Sequence, residues 1–347
     1  MTLTPRQEHI VAIIKKSTQA SISHIAQQLD AVVSTATLNR DIANLASQGM
    51  IFKQGKGRGT YYTLAPSYQL FEPVNLDAYF EQEPDARHGK TTFDDSIFET
   101  LEAVSCFTEA EIDLLAQLKK QYEQNLSTYP KTLFNKEMER LTIELSWKSS
   151  QIEGNTYSLL DTERLFLEHQ KTVNKPESDA TMLLNHKTAL DYMLSHPDVA
   201  EVINIRFIED LHALLIKDLG VGRNLRSRTV GVTGTAYKPL DTVYQIREAL
   251  ERLCKVVNQK SNVFEKALLA VLCISYLQPF EDGNKRTARM LGNALLIQGG
   301  MCPLSYRSVD SIVYKKAMLL FYEQTNVSAF KSLFLEQVQF SVSNYFQ

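Results

Sequence analysis

A twelve-residue break between two apolar helical stretches constrains this chain more than any other feature. The stretch AVLCISYL enters it and MLGNALLIQ leaves it. Between them runs Gln278-Pro-Phe-Glu-Asp-Gly-Asn-Lys-Arg-Thr-Ala-Arg289. Proline, glycine and asparagine are poor helix formers, so propensity does not account for them. Gly283 allows the backbone a close approach. The helix that follows offers free N–H groups and the positive end of its dipole, a cradle for an anion. Arg286 and Arg289, three residues apart, project from one face of its first turn. Arginine suits bidentate contact with phosphate, and Asp282 can hold a magnesium ion bridging phosphate oxygens. On spacing alone, a plain helix joint carrying surface arginines fits equally well.

The rest of the chain limits what such a joint can belong to. At 347 residues it has room for two or three domains. Its 44% hydrophobic and 22% charged residues are ordinary for a globular protein. No run reaches the roughly 18 apolar residues of a membrane span, and the first residues lack the cleavage pattern of a signal peptide. The expected location is therefore cytoplasmic, with no membrane partner. Cys106, Cys254, Cys273 and Cys302 lie far apart and suggest neither a metal site nor a disulfide framework. Residues 1–64 hold seven Lys or Arg against three acids, about +4, while the net charge of the whole is −3. A basic head on an acidic body points the head alone at a polyanion.

That head reads as three short helices and a hairpin. The first helix spans roughly Arg6–Lys16, the second is capped by Ser21, and the third starts near Ser34 and ends at Gly49. IFKQGKGRGTYYTL follows, two strand-like runs around a basic turn. The pattern resembles a winged helix-turn-helix over residues 1–65, and STATLNRDIANLASQGMI is similar to the recognition helix of DeoR-type regulators. Thr35, Thr37, Asn39 and Arg40 then become candidates for base edges of double-stranded DNA. Lys53, Lys56 and Arg58 become candidates for wing contacts with phosphate or the minor groove. A protein-interaction or dimerisation role fits the same module. A two-fold dimer is the natural way for one weak module to read DNA. Residues 66–94, with three prolines and an acidic stretch, read as a linker that partly packs. Residues 95–347 read as helical, interrupted by TVGVTGTAYKPLD (229–241), which reads as a short hairpin.

The segment 278–289 resembles the Fic signature, HPFxDGN, then Gly or Lys, then RxxR. Phe280, Asp282, Gly283, Asn284, Arg286 and Arg289 match, and Lys285 is similar to the Doc branch. The resemblance implies a mainly α Fic-type helical domain with a β-hairpin flap, preceded by a small α/β winged helix. It implies Mg²⁺ on Asp282, an anion hole from Gly283 to Lys285, and ATP phosphates on Arg286 and Arg289. Asn293 and Tyr314 fall where the family lines its adenine pocket. The family's general-base histidine is replaced by Gln278, whose amide takes up no proton near neutral pH. Ser149, Glu153 and Gly154 resemble the family's inhibitory motif, in a helix near 143–155. By that resemblance Glu153 pairs with Arg289. The hairpin, with Thr233, Gly234, Thr235 and Tyr237, corresponds to the flap that holds a protein target's backbone so its hydroxyl is aligned. Two functions follow: a protein adenylyltransferase (AMPylator) relative, or a nucleotide-sensing DNA-binding regulator that has lost turnover. His212 reads as a structural histidine, Trp147 as a core anchor, and His186 and His169 as unpaired with other metal-ligand types.

Overall fold

The structure, a computed structural model, describes residues 3–29 and 33–347; the side chain of Arg58, an expected wing residue, lies outside the described residues. Helices α1 (Pro5–Ser17), α2 (Ile22–Gln28) and α3 (Thr35–Ser47) precede strands β1 (Ile51–Gln54) and β2 (Tyr61–Leu64). Each helix is started by a hydroxyl: Thr4 forms a capping box with Gln7, while Ser21 and Ser34 accept from His24 and Thr37. The antiparallel strands pair Ile51 with Leu64 and Gln54 with Tyr61. Ile10, Ile14, Ile25, Leu38, Leu45 and Ile51 close a small core of their own. Arg6 reaches across it to Asp41 at 2.5 Å.

The larger unit contains α6 (Ile97–Ala103) to α16 (Ser328–Asn344), after α4 (Pro66–Phe71) and α5 (Leu76–Phe80). Between these run α7 (Glu109–Thr128), α8 (Lys131–Ile152), α9 (Leu159–Leu167), α10 (Glu177–Ser195), α11 (Ile205–Leu215), α12 (Val243–Gln259), α13 (Val263–Leu277), α14 (Asn284–Gln298) and α15 (Ser311–Gln324). Helix α13 is apolar all round, so it is buried all round, and the others pack about it. Gly292 lets α14 lie directly on it: a β-carbon there would stand 2.6 Å from Val271 Cγ2.

Two expectations change in detail. Residues 229–241 do not pair as a hairpin. They run as a loop turning at Thr233–Gly234, and their one bridge is Lys238 with Thr92. β-Branched composition favours a strand only where a neighbouring strand can pair with it, and Gly231 and Gly234 weaken both arms. The segment 66–94, read as a linker that partly packs, packs closely against the larger unit. Leu70 is buried in its core and accepts a hydrogen bond from Val327, and Arg87 forms a buried ion pair with Glu323 on α15.

Candidate functional site

The break between α13 and α14 is rigid. Gln278 ends α13 in the left-handed region (φ 48°, ψ 58°), uncommon for a residue with a side chain. Its amide is tied at both ends: Nε2 donates to Ser275 O at 2.6 Å, and Oε1 accepts from Asn284 Nδ2 at 3.0 Å. Asn284 closes the loop, accepting from Phe280 N and donating to Phe280 O, each at 2.8 Å. Phe280 is fully buried, its ring stacked 3.6 Å from the His212 imidazole. His212 Nε2 donates to Asp282 O at 2.9 Å, so this histidine braces the loop. Gly283 precedes α14 at φ 80° with no side chain capping the helix. The first amides of α14 therefore lack a side-chain acceptor.

A cleft of about 590 Å³ opens over that helix end. Glu153 and Gly154 border it on one side, residues 230–234 on another, and Tyr314, Lys315 and Tyr322 of α15 on a third. Gln278 and residues 281–285 form its floor. A separate hollow of about 660 Å³ among Leu76, Val313 and Phe340 contains none of these residues.

Behind the floor lie the two arginines, each only 2% exposed, which removes the reading of a joint with surface arginines. Arg286 donates to Leu215 O at 3.3 Å and to Asp282 Oδ2 at 3.2 Å. Arg289 donates to Ser149 Oγ (2.9 Å), Ser149 O (2.8 Å), Glu153 Oε1 (3.0 Å) and Tyr314 Oη (3.3 Å). Burial opposes the Arg289 charge, but Tyr314 and Glu153 outweigh it and hold its pKa above the usual arginine value. Lys285 adds a contact to Glu153 at 3.5 Å. The Ser149 hydroxyl in turn reaches His186 Nε2 at 2.9 Å, while His186 Nδ1 lies 2.9 Å from Met182 O. These contacts assign a neutral Nδ1–H imidazole whose Nε2 accepts a hydrogen bond from the serine hydroxyl, leaving the serine oxygen free to accept from Arg289. Burial, helped by the charge of Arg286, pushes His186 down to about 3.

For Glu153, burial alone raises the carboxyl pKa, but Arg289 and Lys285 outweigh it and hold it below the usual carboxylate range. A depressed carboxylate contributes stability that is present above its unfolded value of ~4.3 and lost as pH falls through the folded one. The melting-temperature gap between the native chain and Glu153→Gln is therefore expected to stay constant from pH 8 to 5 and shrink in stronger acid. Melts across pH check this; a gap that widens in acid contradicts it.

The structure gathers Gln278, Asp282, Gly283, Asn284, Lys285, Glu153, Gly154, Thr233, Gly234 and Tyr314 around one cleft. Arg286, Arg289 and Ser149 stand directly behind it. Asn293 does not line the cleft; its amide bonds Leu304, donating to O at 3.1 Å and accepting from N at 2.8 Å. Tyr237 is an anchor beneath the loop, 1% exposed, with its hydroxyl on Tyr276 O at 2.9 Å. The Thr235 hydroxyl accepts from Tyr237 N. Sequence reasoning missed Arg226, also 1% exposed, which donates to the carbonyls of Gln278, Arg228 and Leu240 and so ties the floor to the loop. In the amino-terminal unit Thr35, Asn39 and Arg40 are exposed on α3, as are Lys53 and Lys56 beyond it. Thr37 is half-buried beside its cap Ser34.

Residues 202–296 match the Fic/DOC family, and residues 6–60 match the DeoR-like helix-turn-helix domain. The fold agrees with that of Fic-1 (residues 134–508) from C. elegans, TM-score 0.59 at 18% identity, over 72% of this chain and 80% of that one. The chain carries a Fic domain. By sequence it is 28% identical over 168 residues to "Protein adenylyltransferase Fic" of Nematostella vectensis, and 27% identical over 161 residues to "Protein adenylyltransferase fic-1" of Caenorhabditis elegans. Those stretches are 47% and 44% of this chain but only 39% and 31% of the two relatives. The likeness is thus to the Fic domain, joined here to a helix-turn-helix. Among the described residues no helix is long and apolar enough to cross a membrane.

Proposed function

We propose that the Fic domain binds Mg²⁺–ATP in the cleft over α14 and is related in activity to protein adenylyltransferases, with transfer held low by Glu153 and Gln278. The observation that carries this reading is the uncapped start of α14 under the cleft, backed by two buried arginines. A buried guanidinium needs an anionic partner; Arg289 now has Glu153, and Arg286 has the exposed Asp282. Polyphosphate fits the same place: amides of Gly283, Asn284 and Lys285 for its oxygens, Arg286 and Arg289 for its charge, and Asp282 for Mg²⁺. Bound Mg²⁺–ATP supplies the electrophilic phosphorus and the pyrophosphate leaving group. The chain's residues orient it, and the loop at Thr233–Gly234 faces the place a protein hydroxyl must enter. Glu153 occupies Arg289 and keeps it from the terminal phosphate. Calorimetry of the Glu153→Gly form with ATP, GTP and Mg²⁺ tests the reading; no heat with any nucleotide ends it.

A second reading is favoured by Gln278: a nucleotide-sensing regulator that binds DNA through its helix-turn-helix. Transfer requires an acceptor for the hydroxyl proton, and an amide cannot be one. Lys53, Lys56 and Arg40 are exposed cations available for phosphates. Retardation of duplex fragments is expected to weaken steeply with salt, and Lys56→Ala is expected to lower the slope of log affinity against log salt by about 1. Failure to retard any chromosomal fragment at low salt, with or without ATP, removes the DNA part.

A further inference from the structure

We infer that residues 76–94 form a strap that positions the cleft loop 230–236, with Arg87 as its positioning residue. This rests on the reading of the cleft as a nucleotide site. The loop cannot set its own place. It forms no strand, and among the described residues no backbone–backbone hydrogen bond ties residues 230–236 to another part of the chain. Among the described residues, one side chain from a distant part of the sequence bonds it there: Arg87 Nη2 donates to Gly234 O at 2.5 Å. Gly234 lines the cleft.

The donor is held from every side. The same guanidinium pairs with Glu323 at 2.8 Å, Nε at 3.0 Å, and both side chains are 4% exposed. Tyr79 Oη donates to the same carboxylate at 2.7 Å, and the Arg87 guanidinium lies 4.8 Å over the Phe80 ring. Lys90 N donates to Glu323 O at 2.5 Å, and Gly89 passes so close that a β-carbon there would stand 2.8 Å from Glu323 Cβ. At the loop's far end Lys238 N donates to Thr91 O at 2.9 Å. Two points of one segment thus fix the tip and the base of the loop. A planar fork can serve Glu323 and Gly234 together, whereas a lysine offers one point charge and no such fork.

Hydrogen exchange on the full chain tests this. With Arg87→Lys, the Tyr237 and Lys238 amides, which donate to Thr235 Oγ1 and Thr91 O, are expected to exchange about tenfold faster, the worth of one charge-assisted hydrogen bond, while amides of α13 and α14 are unchanged. In the Glu153→Gly background, Arg87→Lys is expected to speed release of a fluorescent ATP analogue several-fold without changing its association rate. Unchanged exchange at Tyr237 and Lys238, a rise spread evenly over α13–α15, or equal release rates with and without Arg87→Lys overturns the positioning role. If Arg87→Lys fails to fold, Glu323→Gln, which keeps the shape and removes the charge, carries the same readouts. Silent calorimetry with Glu153→Gly ends the nucleotide reading on its own, and the exchange data then still judge the strap.

Discussion

Glu153→Gly is expected to tighten Mg²⁺–ATP binding by about 10- to 100-fold, the range set by charge-assisted hydrogen bonds worth about 1.5–3 kcal/mol. The carboxylate holds Arg289 at 3.0 Å and Lys285 at 3.5 Å, so a phosphate entering the native cleft must displace it. The same change costs the empty protein stability. Arg289 is 2% exposed and loses its carboxylate, a loss of up to about 3 kcal/mol. The four donor contacts of Arg289 include two to Ser149 and one to Tyr314 that remain, which limits the damage. The variant should therefore melt lower without nucleotide and gain more from saturating ATP than the native chain. Equal affinity in the two forms, measured by calorimetry, removes Glu153 as a competitor for the site.

Gln278→His, placed in the Glu153→Gly background, is expected to raise transfer of labelled AMP to protein by about 10²–10⁴-fold, the usual worth of a positioned base. The backbone needs no rearrangement, because the left-handed conformation at 278 is set by the end of α13 and by Arg226 on the Gln278 carbonyl. An imidazole N–H can donate to Ser275 O as the amide Nε2 does now, at 2.6 Å, which leaves the other ring nitrogen as the free acceptor a base requires. Labelled ATP, Mg²⁺ and cell lysate supply the assay. If the double variant leaves protein unlabelled while still binding ATP, the missing base is not what limits the site, and the regulator reading gains.

Much of this was legible locally. Ser21 and Ser34 mark helix starts because a hydroxyl there satisfies an orphan N–H. The loop 278–289 is written in residues that make sense only at a turn opening a helix. What stayed hidden is what distance in the chain conceals. Arg226 meets Gln278, Arg87 meets Gly234 and Glu323, and His186 meets Ser149; no periodicity links such pairs. Residues 229–241 misled because strand-like composition says nothing about whether a partner strand exists.

The grip of Ser149 on Arg289 has an entropic meaning. Serine holds the guanidinium by both its hydroxyl and its carbonyl, and His186 orients the hydroxyl. With the carboxylate removed, as in Glu153→Gly, these bonds would hold the cation to one heading instead of letting it sample rotamers. An incoming anion then meets a receptor already frozen into shape, so little freedom remains to be lost at the moment of encounter.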